Sequence, residues 1–424
     1  MAQYSAKERV IASFLSSAPV LKGVVKQCYI LMNYAIYRKN YKSKLFIPDG
    51  VLGTIEPLRQ GDGTFFGYYD KSPDNGRQII FNETSCNTAT RPDAHIPLQV
   101  NVFDRNDGSV RTIGETLSYN WQQGCRAQWV DDKRLIYNNY DGRDYRSILF
   151  DIEQNAAVRT YSIPVQDIFQ DKYFLSINYR RVMKLRPDYG YRNMPELTDA
   201  DIHRLDDDGI WQTDLVSGQP RMIVSLQDLA ELNPKDSFKN ASHKANHVMI
   251  SPQGDRFIFI HRWYCGGRRF DRLILSDFRN LSVLSDNDMV SHMCWINNDL
   301  VFGYLRHDGR NGFYFIDLTD GSFIACDALN SLSQGDGHPS CHGDWIVVDT
   351  YPDRSRMQRL TLFNFKTRQV LPLLEVFQST SYRGESRCDL HPRFSPDGKR
   401  AYFDSVFNGT RQLCYMDLAN VLDS

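Results

Sequence analysis

The amino-acid sequence predicts an all-β protein, a seven-bladed β-propeller with an N-terminal amphipathic helical extension. Turn signals recur along the chain, among them Ser-Pro-Gln-Gly at 251–254 and Ser-Pro-Asp-Gly at 395–398. A short hydrophobic strand follows each turn, and many units then contain a third strand that ends in an aspartate, such as Asp151 or Asp317. Units of about 45–55 residues with about four short strands each are typical of propeller blades.

Composition limits the class of protein. The chain has 424 residues, 42% of them hydrophobic and 24% charged, as in ordinary globular proteins. Its formal net charge of −1 argues against a general nucleic-acid binder. No stretch approaches the ~20 apolar residues that span a bilayer, and no signal-peptide pattern opens the chain. Nine scattered cysteines without a Cys-x-x-Cys pair favour reduced thiols, so we expect a cytoplasmic protein.

Residues 1–44 form a separate basic extension in this interpretation. They contain eight Lys or Arg residues and one acid, Glu8. Apolar residues at helical spacing predict an amphipathic helix from Pro19 to about Tyr41. The apolar stripe consists of Val20, Leu21, Val24, Val25, Cys28, Leu31, Met32 and Ala35. Two alternatives stay open: the helix packs on the body of the protein, or it lies on an anionic membrane surface and gives peripheral membrane contact.

Residues 45–424 form the predicted propeller. The innermost strands of its seven units are expected near Tyr68, Arg126, Asn178, His247, His292, His338 and His391. The third unit is the least regular, and residues 174–179 are predicted to be its innermost strand. The seventh unit lacks a fourth strand, which residues near 51–58 are expected to supply. Such closure joins the two ends of the chain and removes open sheet edges.

A common register links the last four units. Counting back five residues from the turn of each unit reaches a histidine: His247, His292, His338 and His391. The same count reaches Arg126 in the second unit and Tyr68 in the first. Because innermost strands line the central channel, we expect these side chains to converge at its mouth. A ring of imidazoles suits either a divalent transition metal or a general base.

Four fragments carry a resemblance to a known family. They are 65–73 (FFGYYDKSP), 336–340 (DGHPS), 349–353 (DTYPD) and 389–394 (DLHPRF). These fragments resemble oligogalacturonate lyases and the wider TolB-like propeller group, and the similarity spans most of residues 60–418. The resemblance implies a manganese ion on the channel axis that binds a uronate carboxylate. It also implies a separate histidine that removes the proton next to that carboxylate, so that the glycosidic oxygen leaves by β-elimination.

Carried over by motif, the resemblance implies roles for individual residues. His338, His391 and Asp389 would be metal ligands, His292 the catalytic base and His247 a further base-side or ligand group. Substrate contacts would come from Arg126, Tyr68 and Arg180, with Arg186 as a further candidate. The Gly-rich basic loop 262–269 either meets an anionic substrate or is a plain hairpin loop.

The ligand run departs from the family pattern. The lyases have Gln-x-x-His-x-His, whereas residues 386–391 read Ser-Arg-Cys-Asp-Leu-His, so Asp389 replaces a histidine and Ser386 the glutamine. Asp389 lies two residues before His391, so both side chains share one strand face. The sequence therefore supports a metal-assisted carbon–oxygen lyase acting on uronate-containing oligo- or polysaccharides. The alternative is a non-catalytic propeller that binds a saccharide or protein in bacterial surface-polysaccharide biosynthesis.

Overall fold

Seven antiparallel sheets surround a central channel in the computed structural model, which describes residues 19–47 and 50–422. Blade 1 contains Gly63–Phe65, Gln78–Thr84, Leu98–Asp104 and Val110–Thr116. Blade 2 contains Gln128–Trp129, Arg134–Tyr140, Tyr145–Asp151 and Ala156–Tyr161. Blade 3 contains Asp167–Phe169, Tyr173–Ile177, Gly209–Asp214 and Pro220–Ser225. Blade 4 contains Ser242–Ile250, Phe257–Cys265, Arg268–Ser276 and Leu281–Ser285.

The remaining blades include strands from both ends of the propeller sequence. Blade 5 contains Val290–Trp295, Leu300–His307, Arg310–Asp317 and Phe323–Ala325. Blade 6 contains Pro339–His342, Trp345–Asp349, Met357–Asn364 and Val370–Phe377, with Ser43–Leu45 as an outer fifth strand. Blade 7 contains Arg393–Phe394, Arg400–Ser405 and Gln412–Asp417, with Leu52–Thr54 outermost. The predicted seven-bladed propeller is confirmed.

Short helices join or extend the blades. The α-helices are α1 (Pro19–Tyr37), α2 (Tyr179–Leu185), α3 (Asp199–His203), α4 (Leu226–Glu231), α5 (Asp327–Asn330) and α6 (Ala419–Leu422). Single 3₁₀ turns occur at Pro187–Tyr189, Asp236–Phe238 and Gly384–Ser386. Among the helices of the described chain, none combines the length and apolar character needed to cross a bilayer.

The ring closes as the sequence predicted. Leu52–Thr54 pairs antiparallel with Gln412–Asp417, which supplies the fourth strand that the seventh unit lacks. Ser43–Leu45 pairs with Val370–Phe377 and covers the outer edge of blade 6, a contact that the sequence did not indicate. Between blades the core is apolar and fully buried: Ile80 of blade 1, Leu135 of blade 2 and Tyr402 of blade 7 belong to one cluster. All nine cysteines lie in the described residues, and each is a free thiol.

Blade 3 corrects one prediction. Its innermost strand is Asp167–Phe169, and the strand predicted to be innermost is the second one, Tyr173–Ile177. Asn178 is not on the innermost strand; it caps α2, its side chain accepting hydrogen bonds from the backbone amides of Arg180 and Arg181. The prediction failed because residues 178–208 form a helical insertion between the second and third strands, whereas blades 4 and 5 have tight hairpin turns at this point.

Helix α1 lies against blade 6 in an unexpected orientation. The ring of Tyr34 packs against Phe377 at a centroid distance of 5.5 Å, and Lys39 and Tyr41 hydrogen-bond to the buried Glu375 carboxylate. Asn33 is the one buried residue among residues 23–37 of the helix, at 7% exposure. The described members of the apolar stripe, from Val24 to Ala35, are exposed. The contacts of this segment with blade 6 are therefore made by polar and aromatic residues.

Candidate metal centre and active site

The four histidines of matched register meet around the channel. The ring centroids of His247 and His292 are 5.6 Å apart, those of His292 and His338 are 3.9 Å apart, and those of His338 and His391 are 4.3 Å apart. Each histidine therefore contacts the one from the next blade. The equivalent residue of blade 1, Tyr68, joins the group with its ring 4.9 Å from that of His391.

Unusual backbone conformations aim these side chains. Arg126, His247 and His391 have φ angles of 56°, 54° and 47°, in the left-handed region that residues with a side chain seldom adopt. The strand pairing also shifts register between Asn246 and Met249, and again around His292 between Val290 and Met293. Bulges of this kind redirect a side chain next to functional sites. The positive φ angle recurs at the same register position in three blades, which indicates that the propeller imposes this conformation.

His338, Asp389 and His391 form a candidate metal centre. One possible ligand atom from each lies within 4.8 Å of the other two, and all three residues are buried. Three of their polar atoms have no hydrogen-bond partner among the described protein atoms: His338 Nε2, His391 Nε2 and Asp389 Oδ1. Leaving such atoms buried and unpaired is costly. A divalent cation would satisfy all three, so the residues present fit a metal.

Neighbouring side chains orient two of the candidate ligands. The Asp349 carboxylate accepts a hydrogen bond from His338 Nδ1 at 2.9 Å, which leaves Nε2 with the lone pair that a metal needs. Asp349 also accepts hydrogen bonds from the backbone amides of His338 at 2.6 Å and His391 at 3.1 Å. Arg387 Nε donates to Asp389 Oδ2 at 2.7 Å, so that Oδ1 is the free oxygen.

Burial and charge set the protonation of this group. Burial lowers the pKa of His391 well below its ordinary value, and the neighbouring His338 and Arg393 add to the effect. For His338, burial acts in the same direction, but the Asp349 carboxylate outweighs it and the pKa is raised. His391 is therefore a neutral imidazole, the form that binds metals.

His292 is the histidine best placed to act as a base. Its Nδ1 lies 3.2 Å from the Asp336 carboxylate and 3.1 Å from the Ser291 hydroxyl. Burial, followed by the neighbouring His338, lowers the pKa of His292 to about 4. Donation of Nδ1–H to Asp336 leaves Nε2 as the acceptor of a proton. A base held by a carboxylate is the arrangement that general base catalysis requires.

His247 and Tyr68 form a stacked pair beside the centre. Their rings are 5.2 Å apart at 16°, and the Tyr68 hydroxyl hydrogen-bonds to His247 Nδ1. Burial raises the pKa of Tyr68 well above its usual value, and nearby Tyr189 adds to this. The Tyr68 phenol therefore keeps its proton. Burial, then the neighbouring His292, lowers the pKa of His247 well below its usual value.

The arginine candidates occupy different environments. Arg126 is buried, and its guanidinium forms two 2.8 Å hydrogen bonds to Asp70, so its charge is already paired. Arg180 lies on α2 and donates to the carbonyl of Pro195 at 3.0 Å. Arg186 stacks on Tyr189 at 4.7 Å and lines a small cavity beside His247. Of the three, Arg186 is the one that the structure brings to the histidine cluster.

The helical insertion covers the cluster. Tyr189 packs edge-on against Tyr68 at 5.9 Å and against His247 at 5.6 Å. Arg387 links the insertion to the candidate ligand Asp389, because it also hydrogen-bonds to Asp188 and to the Tyr189 hydroxyl. The cavity left beneath the insertion has a volume of about 10 Å³, room for about one water molecule.

Lys244 is a residue of this cavity that sequence reasoning missed. It is 1% exposed, and its Nζ has no hydrogen-bond partner among the described protein atoms. Burial, and then the charges of Arg262 and Arg186, lower its pKa well below the ordinary value. The one available signal was a lysine inside the strand Ser242–Ile250, whose other residues are largely apolar or small. The adjoining loop 262–269 is the blade 4 hairpin, and its Arg262 is buried.

A buried pair of histidines in blade 4, apart from the channel cluster, makes the free energy of unfolding depend on pH. His243 Nδ1 and His261 Nε2 are 2.9 Å apart, and Arg272 donates to His261 Nδ1 at 3.0 Å. Burial lowers the pKa of His243 to about 4, and that of His261 well below its usual value. Both rings are therefore neutral in the folded protein, whereas the unfolded chain protonates them near pH 6.5.

We expect the free energy of unfolding to fall as the pH is lowered from about 6.5 to about 4. The neutral rings contribute full stability above pH 6.5, and His243 alone contributes about 3 kcal/mol that is lost on acidification. Urea unfolding at a series of pH values, with a chelator present, measures this. Replacing the exposed His203 by glutamine is the control and leaves the slope unchanged. A free energy that stays level or rises towards pH 4 contradicts the expectation.

Comparison with known proteins gives the fold a precedent. No protein-family model matches the chain, and no curated protein matches its sequence. An oligogalacturonate lyase in complex with manganese has a similar structure, with a TM-score of 0.56, 17% identity, and coverage of 91% of this chain and 100% of that chain. An oligogalacturonate lyase from Vibrio parahaemolyticus gives a TM-score of 0.57 and 13% identity, covering 89% and 96%. At these identities the similarity establishes the shared fold, and it confirms the resemblance noted in the sequence.

Proposed function

We propose that the protein is a metal-assisted lyase that cleaves uronate-containing oligosaccharides by β-elimination. One observation supports this most directly: three unpaired ligand atoms, His338 Nε2, His391 Nε2 and Asp389 Oδ1, are buried together beside a neutral histidine that is held by a carboxylate. The fold shared with a lyase that was solved in complex with manganese is consistent with this proposal.

The donor set favours a hard or borderline divalent metal. Two imidazoles and one carboxylate suit manganese and similar ions. His338, His391 and Asp389 would hold the ion, and it would neutralise the uronate carboxylate and make the neighbouring C5 proton acidic enough to remove. Asp349 and Arg387 orient two of the ligands through hydrogen bonds of 2.9 Å to His338 and 2.7 Å to Asp389. These bonds leave His338 Nε2 and Asp389 Oδ1 available to a metal.

His292 takes the C5 proton in this proposal. Its Nε2 forms the new N–H bond, and Asp336 stabilises the resulting imidazolium through Nδ1. The electron pair of the C5–H bond becomes the C4–C5 double bond as the C4–O4 bond breaks. The departing O4 receives a proton from the Tyr68 hydroxyl, whose raised pKa keeps it protonated. Reprotonation of Tyr68 from solvent and loss of the proton from His292 restore the enzyme.

Two basic residues of the cavity support an acidic substrate. Lys244 and Arg186 lie beside His247, and the Lys244 amine is unpaired among the described residues. In our proposal they contact a uronate carboxylate, the role first assigned to Arg126. The cavity of about 10 Å³ is too small for a sugar ring, so the insertion 178–208 has to move aside for substrate to enter.

Metal analysis and a uronate panel test the proposed function. We expect the purified protein to contain about one divalent metal per chain, and elimination products to absorb in the ultraviolet because their double bond is conjugated with the carboxylate. A chelator should abolish the product, and added Mn²⁺ should restore it. Neutral galactose oligomers are the matched control. Metal-loaded protein that binds uronate oligomers but forms no absorbing product would support the binding-only alternative and overturn the lyase.

A further inference from the structure

Within residues 23–37, helix α1 presents a set of aliphatic side chains to solvent. The exposed fractions are 56% for Val24, 46% for Leu31, 55% for Met32 and 65% for Ile36. These residues recur at helical spacing, so they form one continuous face, called here the outer face of α1. The opposite side holds the buried Asn33 and the attachment to blade 6.

This exposure differs from that of other surface hydrophobics. Single exposed residues such as Val216 and Ile324 are scattered on the propeller, as is normal for a soluble protein. On α1, by contrast, the exposed aliphatic residues are consecutive neighbours on one helix. A contiguous apolar patch of this kind marks an interaction surface. The sequence alone left open whether the stripe packs on the propeller, and the structure shows that its members from Val24 to Ala35 do not.

The charged residues of α1 and of the segment that follows it have one sign. No aspartate or glutamate occurs in Pro19–Tyr37. Lys26 lies on the helix itself, Arg38 follows its last residue, and Lys42 and Lys44 come next; all four are exposed. Lys39 is excluded because it pairs with Glu375. Two copies of the chain joined through their outer faces would bring these positive charges together, whereas an anionic surface would neutralise them.

We propose that the outer face of α1 binds the surface of an anionic lipid bilayer. A helix with an apolar face and flanking basic residues lies in the plane of such an interface, with its apolar side chains among the lipids. Exposed Tyr37 and Phe46 add aromatic side chains of the kind enriched at interfaces. Because Lys39 and Tyr41 attach this segment to Glu375, the bound helix would hold the propeller at the membrane.

Vesicle co-sedimentation of the full chain tests the proposal. We expect the protein to sediment with vesicles of phosphatidylglycerol and phosphatidylcholine, and to remain in solution with pure phosphatidylcholine. Binding should weaken as salt is raised, since the basic residues are screened. Replacing Lys26 and Lys42 by glutamine should lower the partition coefficient by about tenfold or more, at about 1 kcal/mol for each basic residue.

Two variants distinguish lipid binding from self-association. L31S/M32S/I36S should lower the partition coefficient by at least about tenfold and leave the melting temperature unchanged, because the side chains are exposed. The matched control V216S/I324S removes exposed hydrophobics from the propeller and should bind vesicles as the wild type does. If the wild-type protein does not sediment with the anionic vesicles, the proposal is wrong. The proposal is also wrong if light scattering shows the wild type to be a dimer, and L31S/M32S/I36S to be a monomer that binds vesicles as the wild type does.

Discussion

Replacing His292 by glutamine is expected to lower the rate of elimination by about 10²–10⁴-fold, the usual contribution of a general base. Glutamine keeps a polar side chain of similar reach but cannot take up the C5 proton. The metal should remain bound, because the three candidate ligands are His338, Asp389 and His391. The rate is measured by the ultraviolet absorbance of the product, and the metal content is measured on the same sample.

Two further variants define the role of His292. His307 belongs to the same blade and stacks on Phe323 at 4.2 Å, so His307→Gln is the matched control and should retain the wild-type rate. Asp336→Asn should lower the rate less than His292→Gln and change its pH profile, because the imidazolium loses its carboxylate partner. If His292→Gln has an unchanged rate, or if it loses the metal, His292 is not the general base.

Replacing His391 by alanine is expected to weaken Mn²⁺ binding by at least about 100-fold. The substitution removes one of three protein ligands, whereas loss of an orienting partner costs about 10–100-fold. Asp349→Asn removes such a partner from His338 and should fall in that smaller range. Titration calorimetry with Mn²⁺ measures both, and activity at limiting metal should decline in the same order.

The control for the metal site is another histidine of blade 6. His342 ends the strand Pro339–His342 and packs against Phe394 at 5.8 Å, away from the candidate ligands. His342→Ala should bind Mn²⁺ as the wild type does. If His391→Ala binds the ion with unchanged affinity, the site formed by His338, Asp389 and His391 is not a metal centre.

The propeller could be predicted because its repeat is local. Each turn and the strand after it are coded within a few residues, so the count of blades and the closing strand near 51–58 followed from the sequence. The histidine register was visible for the same reason. Blade 3 was misassigned because residues 178–208 replace a turn with short helices. A capping box formed by Thr198 and Asp201 was one local signal of the helical insertion.

The site was only partly predictable because it is built from long-range pairs. His338 and His391 stood at a repeated position, but their orientation depends on Asp349, which the register did not mark. Arg126 shared the same register, and its pairing with Asp70 became visible only in three dimensions. Lys244 had no motif at all, since its significance lies in its burial without a partner. Register predicts where side chains converge, whereas charge pairing across blades has to be observed.

The closing strand has a consequence for how the protein is made. Leu52–Thr54 is synthesised well before its partner Gln412–Asp417, because the two strands lie at opposite ends of the propeller sequence. At about 5–20 residues per second, the synthesis of Leu52–Thr54 precedes that of its partner strand by about 20–70 s. During that interval Leu52–Thr54 has no strand to pair with, and unpaired strands of this kind are prone to aggregation. The ring therefore closes only after the last blade has been synthesised, when Leu52–Thr54 pairs with Gln412–Asp417.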